Sequence, residues 1–131
     1  MATALLIRKA STGKVWSIHL DNGGSPSEAG RKLLDFYSEP HWAVTLFCLG
    51  NLEKLRDSIS GFSKRGDKSV CVSYHRDKGF PCESNCAKYY SSVEHAVLAD
   101  FGWGHDYIYY FDGLDWHFAA GDDTGAFKVL S

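Results

Sequence analysis

An aromatic hairpin near the C-terminus constrains the fold more than any other segment of the chain. Two strand-forming runs, Asp106–Phe111 and Leu114–Ala119, are joined by the dipeptide Asp112-Gly113, a pairing favoured in the tight turns of β-hairpins. Because successive side chains of a strand point to opposite faces, one face of Tyr107–Phe111 has to pack against other elements. The segment therefore predicts a sheet with a face covered by helices.

The N-terminal third predicts a second hairpin followed by a helix. Ala2–Lys9 and Lys14–Leu20 are β-prone runs separated by a short turn that ends in Gly13. The next stretch, Ser25–Glu28, has the pattern of a capping box with proline at the first helical position, and this pattern marks helix starts. We therefore expect a helix from Ser25 to about Tyr37.

The rest of the chain predicts alternating helices and strands. The expected elements are a helix over Pro40–Gly50 with further turns through Leu52–Ile59, a strand over Ser69–His75, a loop over Arg76–Lys88, a helix from Ser91 to about Phe101, and a strand over Ala126–Leu130. This order predicts an α+β fold over residues 1–131 as a single domain. We expect a mostly antiparallel sheet of about five strands, with three to four helices packed mainly on one face.

Composition and charge exclude several functional classes. The chain has 14 Lys+Arg against 16 Asp+Glu, whereas proteins that bind nucleic acid by charge neutralisation carry a basic surface. No apolar run approaches the ~20 residues of a membrane span. Arg8 and Lys9 follow the first apolar run, whereas the charges of an export signal precede it. We expect a cytoplasmic protein with no direct contact to nucleic acid or membranes.

Enzymatic motifs are not evident in the sequence. It contains no phosphate-binding loop, dinucleotide fingerprint or nucleophile elbow. We therefore assign no catalytic residue and no cofactor. A binding protein is the preferred interpretation.

The two parts of the chain differ sharply in charge. Residues 1–90 carry 13 basic and 9 acidic side chains, whereas residues 91–131 carry one basic and seven acidic side chains. A carboxylate surface would attract and steer a basic partner, although aspartates are also common in turns. The predicted partner-binding residues are Asp106, Asp112, Asp115, Asp122 and Asp123 as charged contacts, with Tyr109 or Trp116 as an aromatic anchor.

A second candidate site lies at the ends of two predicted strands. It consists of His19, Asp21, Tyr74, His75, Arg76 and Asp77. An arginine beside aromatic rings can stack on and clamp a nucleotide. A small-ligand pocket is therefore the alternative to the acidic surface, and hydrolysis at His19, Asp21 and His75 is a third hypothesis.

The cysteines allow a metal-site hypothesis. Cys71, His75, Cys82 and Cys86 are four soft ligands of the kind that bind zinc. Cys71 and His75 would lie about 13 Å apart in a continuous strand, which is too far for one ion. Without an export signal, reduced thiols are the favoured interpretation, and a Cys82–Cys86 disulfide is the alternative under oxidising conditions.

Several dispersed motifs resemble a family of small, uncharacterised proteins of bacteriophages and mobile elements. The motifs are His19-x-Asp21, Pro26-x3-Gly30-x2-Leu33-Leu34, Tyr74-His75-Arg76-Asp77 and Phe111-Asp112-Gly113-x2-Trp116. The resemblance implies a counter-defence protein in the bacterial cytoplasm, for example an anti-CRISPR inhibitor of an immune effector complex. Its partner would be a protein or ribonucleoprotein with a basic groove. A sponge for a nucleotide immune signal is the alternative, and the oligomeric state is left open.

Overall fold

The computed structural model describes residues 3–59, 70–99, 106–120 and 127–130. The strands in these ranges are β1 Ala4–Lys9, β2 Val15–Asn22, β3 Leu52–Lys54, β4 Val72–Ser73, β5 Lys88–Tyr90, β6 Tyr107–Phe111, β7 Trp116–Ala120 and β8 Lys128–Val129. The helices are α1 Arg31–Phe36, α2 Pro40–Cys48, α3 Cys82–Asn85 and α4 Val93–Ala99, and a π-helical segment over Pro26–Gly30 precedes α1. The fold is α+β, as the sequence predicts.

The eight described strands form one mixed sheet. Its order is β4-β3-β2-β1-β6-β7-β8, and β5 pairs with β2. The hairpins β1–β2 and β6–β7 are antiparallel, but β1–β6 and β2–β3 pair in parallel. Five of the seven described strand pairings are antiparallel, so the sheet keeps the predicted antiparallel majority, but it is mixed and has eight strands where about five were predicted. Strands of two or three residues are too short to show a period, and alternation within a strand does not report the direction of its neighbour.

Helices cover both faces of the sheet. Leu6, Ile18 and Tyr109 share a face with the buried residues of α1 and α2. Leu5, Ile7 and Ile108 face the other way, against Ala96 and Val97 of α4. The expectation that the helices lie mainly on one face therefore needs correction. The first four residues of β1, Ala4–Ile7, are buried and apolar, as expected of a strand covered on both faces.

Local patterns predicted some elements and not others. The hairpins β1–β2 and β6–β7 and the helix α2 are confirmed. Leu52–Ile59, predicted as helix, instead begins with β3 because Leu52 pairs with Leu20, which is a tertiary contact that overrides local preference. The predicted loop over Arg76–Lys88 contains α3 and the start of β5.

The capping box also differs from the prediction. The Ser25 side chain makes no capping hydrogen bond to the helix. Instead, the Ser25 carbonyl accepts from the amides of Glu28, Ala29 and Gly30, and the bond from Gly30, five residues along, is the one that characterises a π-helical turn. Among the described helices, none is long and apolar enough to span a bilayer.

Candidate functional site

Asp112, the central residue of the predicted acidic surface, is engaged within its own turn. Its Oδ1 accepts from the amides of Leu114 and Asp115, both at 2.8 Å, and its Oδ2 lies 2.9 Å from His117 Nε2. Burial opposes ionisation of Asp112, but these hydrogen bonds and the His117 ring lower its pKa to about 2. The Asp112 carboxylate therefore stabilises the hairpin turn. This is the alternative to partner binding that the frequency of aspartate in turns suggests.

Tyr109 and Trp116, predicted as aromatic anchors for a partner, belong to the core. Their exposed fractions are 0% and 1%. The Tyr109 hydroxyl donates to the Gly24 carbonyl at 2.7 Å, and Trp116 Nε1 donates to the Tyr37 carbonyl at 2.9 Å. Burial raises the pKa of Tyr109 above its usual value. The anchor prediction is wrong because this face of the hairpin packs under α1 and α2.

The other predicted carboxylates do not form one patch in the described part of the chain. Asp106 precedes β6 and accepts from the Thr3 amide at 3.0 Å, whereas Asp115 is exposed in the turn beyond Phe111. The intervening strand separates them by roughly 17 Å. Asp122 and Asp123 lie outside the described residues. The described carboxylates of the hairpin therefore sit at opposite ends of β6.

Arg76 and Asp77 of the second candidate site form a structural clamp. Arg76 Nε and Nη2 donate to the two carboxylate oxygens of Asp77, each at 3.0 Å. The same guanidinium donates to the carbonyls of Cys71, at 2.8 Å, and Ile59, at 2.5 Å. Asp77 also accepts from the Ser73 amide at 2.7 Å. These bonds hold the segment after β4 and leave few donors on Arg76 for a ligand.

Asp21 and Tyr74 do meet, at the ends of β2 and β4. The Tyr74 hydroxyl donates to the Asp21 carboxylate, and Lys78 Nζ lies 5.6 Å from the centre of the Tyr74 ring. Burial, reinforced by Asp21, raises the pKa of Tyr74 above its usual value.

The His75 ring and the His19 backbone contact residues outside the predicted set. His75 Nδ1 lies 2.7 Å from the Phe80 carbonyl, and the His19 amide donates to Asn51 Oδ1 at 2.9 Å. The structure therefore joins only part of the predicted set, in contacts that link strands and loops.

The predicted zinc set is also divided. Cys82 and Cys86 form a disulfide, so the expectation of reduced thiols is wrong for this pair. Cys71 is buried, where its Sγ lies 3.2 Å from the Arg56 amide and 3.4 Å from the Tyr37 hydroxyl. Within the described ranges no three His, Cys, Asp or Glu side chains are grouped as metal ligands would be. These four residues therefore do not support a zinc site.

A recess that the sequence did not predict lies at the junction of α1 and α2. This acidic recess has a volume of about 420 Å³. Its lining residues are Asp35, Phe36, Tyr37, Ser38, Glu39, Trp42, Asp57, Ser58 and Ile59. Phe36 and Trp42 are 42% and 41% exposed. The recess therefore combines accessible carboxylates with accessible aromatic rings.

Two of these carboxylates make surface ion pairs. Asp35 lies 3.2 Å from Arg31, and Asp57 lies 2.8 Å from Lys32. Exposed pairs of this kind contribute about 0–1 kcal/mol, so a partner's cation can compete for them. Glu39 adds a third carboxylate. No local pattern revealed the recess, because Asp57 comes from a segment distant in sequence.

The acidic recess is linked to the predicted hairpin surface. The bond from Trp116 Nε1 to the Tyr37 carbonyl holds the start of β7 against the α1–α2 junction. Asp115, which is exposed, immediately precedes Trp116. The buried tryptophan therefore connects the hairpin turn to the junction instead of contacting a partner.

A second missed pocket, here the sulfur pocket, has a volume of about 260 Å³. Its lining residues are Arg8, Trp16, Phe47, Cys48, Cys86 and Ala87. Arg8 and Trp16 are cross-strand neighbours in β1 and β2, and the Arg8 guanidinium lies 5.9 Å from the centre of the Phe47 ring. Arg8 Nε is buried without a hydrogen-bond partner. Burial lowers the pKa of Arg8, whereas the nearby Cys48 raises it.

Comparison with known proteins does not supply a function. No family model, curated protein or solved structure matches the chain. The resemblance to small phage proteins therefore stays a prediction. The acidic recess, the sulfur pocket and the contacts that already engage the predicted residues are the structural features that bear on function.

Proposed function

We propose that this chain is a non-enzymatic, anti-CRISPR-type protein that binds a basic surface of a host immune effector complex and inhibits it. The acidic recess is the observation that carries the proposal, because it presents Asp35, Glu39 and Asp57 beside exposed Phe36 and Trp42. The counter-defence setting, in the cytoplasm of the bacterial host, rests on the resemblance to small phage proteins.

The chemistry of the recess favours an arginine or lysine side chain of the partner. A cation above the face of a tryptophan gains about 0.5–1 kcal/mol when exposed and about 2 kcal/mol when desolvated. A guanidinium also forms paired hydrogen bonds with a carboxylate. Trp42 would supply the ring, and Glu39 or Asp35 the carboxylate. Binding of this kind weakens as ionic strength rises.

Phe36 and Trp42 take the anchor role that the hairpin aromatics cannot fill. Tryptophan is enriched among the residues that dominate binding energy at interfaces, and both rings are accessible without any change in the core. Asp115 remains a candidate contact at the edge of this surface. The nucleotide-binding alternative has less support, because Asp77 and two backbone carbonyls already occupy the Arg76 guanidinium.

Capture of an effector from cells tests the proposal. Tagged protein would be incubated with lysate from bacteria that carry an active CRISPR complex, and bound proteins would be identified by mass spectrometry. Trp42→Ala and Glu39→Lys should each reduce capture of the effector at least tenfold, and Trp42→Ala should abolish inhibition of target cleavage by the purified effector.

Matched control substitutions lie on the opposite side of the sheet. Leu98 and Glu94 are exposed on α4. Leu98→Ala therefore truncates an exposed apolar side chain, and Glu94→Lys reverses the charge of a carboxylate, both away from the acidic recess. Both controls should retain capture and inhibition. If the recess variants inhibit cleavage as well as the controls do, or if the unmodified protein captures and inhibits no effector, the proposed function is wrong.

A further inference from the structure

The sulfur pocket brings three of the four cysteines into one region. Cys48, a free and exposed thiol, is the last residue of α2. Cys86, which lines the same pocket, is bonded to Cys82. A cysteine with a free thiol and a disulfide-bonded cysteine therefore line one small pocket.

A tight backbone contact fixes the two cysteine segments against each other. Gly50 has a φ of +73°, and a Cβ atom there would lie only 2.1 Å from the Asn85 carbonyl oxygen and 3.0 Å from Cys86 Cα. The Asn51 amide donates to that same carbonyl at 2.7 Å. Only glycine permits this approach. The end of α2, with Cys48 two residues earlier, is thus held against the Cys82–Cys86 segment.

Arg8 supplies a positive charge beside the free thiol. The reactive form of a cysteine is the thiolate, which a neighbouring guanidinium attracts. The buried Nε–H of Arg8 has no partner, so it is available to an anionic sulfur. Trp16 and Phe47 complete the walls of the pocket.

From this arrangement we infer that the sulfur pocket is a thiol–disulfide exchange site. The Cys48 thiolate attacks Cys86 Sγ, a Cys48–Cys86 bond forms, and the Cys82–Cys86 bond breaks. The electron pair of the broken bond leaves on Cys82 as a thiolate, which takes a proton from solvent. The number of disulfides does not change, so the step needs no oxidant. Cys82 is exposed, and water therefore solvates the leaving group.

Two matched variants test which sulfur Cys48 reaches. Cys82→Ser and Cys86→Ser would each be reduced and then treated with oxidised glutathione, which converts two protein thiols to a disulfide and yields two molecules of reduced glutathione. The Cys82→Ser variant should form the Cys48–Cys86 bond at least tenfold faster than the Cys86→Ser variant forms a Cys48–Cys82 bond.

Denaturant provides the control. Closing loops of nearly equal length costs nearly equal entropy in an unfolded chain, so the two rates should converge in concentrated guanidinium chloride. Equal rates in native buffer would overturn the inference, as would failure of Cys82→Ser to form the Cys48–Cys86 bond.

Mapping of the unmodified protein keeps the inference testable if the variants do not fold. Native protein without reductant would be trapped with N-ethylmaleimide and cleaved with trypsin and a glutamyl endopeptidase, which separates Cys82 from Cys86 at Glu83. A fraction of Cys86 should be joined to the Cys48 peptide, with the maleimide on Cys82. Exclusive Cys82–Cys86 pairing with fully labelled Cys48 would contradict the exchange.

Discussion

The hairpin turn at Asp112–Asp115 and the acidic recess at the α1–α2 junction are both rich in carboxylates, but they use them differently. In the turn, Asp112 accepts from two amides and contacts His117, and the nearby rings of Tyr109 and Trp116 are buried. In the recess, carboxylates stand beside exposed rings, and two of them, Asp35 and Asp57, make surface ion pairs. The comparison shows that the number of charged groups in a segment is a poor guide to a binding surface. The contacts that those groups already make within the protein are a better guide.

Removal of Trp116 should produce the largest effect on stability. Trp116→Ala would leave a cavity under α1 and an unpaired Tyr37 carbonyl, so we expect the free energy of unfolding to fall by about 3–5 kcal/mol. Urea denaturation followed by circular dichroism measures this change. The matched substitution Trp42→Ala should cost less than about 1 kcal/mol, because Trp42 is partly exposed. Similar losses for both tryptophans would contradict the division between core and surface.

Arg76 should behave as a structural residue. Arg76→Ala removes the partner of the largely buried Asp77 and several bonds to backbone carbonyls, and we expect a loss of about 2–4 kcal/mol. The same denaturation experiment measures it. A variant as stable as the unmodified protein would instead favour the ligand-binding role that the sequence suggested for this residue.

Asp112 should make the hairpin sensitive to acid. The pKa of Asp112 falls from its usual value of 3.8 to about 2 in the folded protein, so its ionised form contributes stability above pH 3.8 that is lost as the pH falls through 2. Asp112→Asn should cost about 1–2 kcal/mol at pH 7, after allowance for solvent screening. Urea unfolding at several pH values should show this difference shrinking towards pH 2. A constant difference at every pH would show that the carboxylate charge does not stabilise the turn.

Substitution of Arg8 should have the smallest effect of these changes, and it should alter only the rate of disulfide formation. In the Cys82→Ser background, Arg8→Gln should slow formation of the Cys48–Cys86 bond about threefold to tenfold, because the thiolate loses its positive neighbour. Alkylation of Cys48 by iodoacetamide provides a second readout and should slow by a similar factor. Unchanged rates would restrict Arg8 to packing against Phe47.

The sequence predicted those parts of the fold that short-range patterns specify. Alternation around Asp112-Gly113 predicted the C-terminal hairpin β6–β7, and the apolar spacing of Trp42, Leu46 and Leu49 predicted α2. It did not predict β3, because the pairing of Leu52 with Leu20 depends on the assembled sheet. The parallel pairing of β1 with β6 was missed for the same reason.

The site was harder to predict than the fold. The aspartates of the hairpin are close in sequence and therefore predicted a charged surface, but the groups that they contact depend on the folded structure. The acidic recess draws its carboxylates from α1, the α1–α2 junction and the segment after β3. The sulfur pocket likewise joins β1, α2 and the end of α3. No spacing along the chain indicates either one.

Titration of ¹⁵N-labelled protein with an arginine-rich peptide tests most directly whether the acidic recess, and not the hairpin turn, receives basic partners. We expect the largest chemical-shift changes at Phe36, at Asp57 and at the Trp42 indole N–H, and we expect them to diminish as salt is added. Changes confined to Asp112–Asp115, with the recess unaffected, would contradict the proposal and return the binding surface to the hairpin.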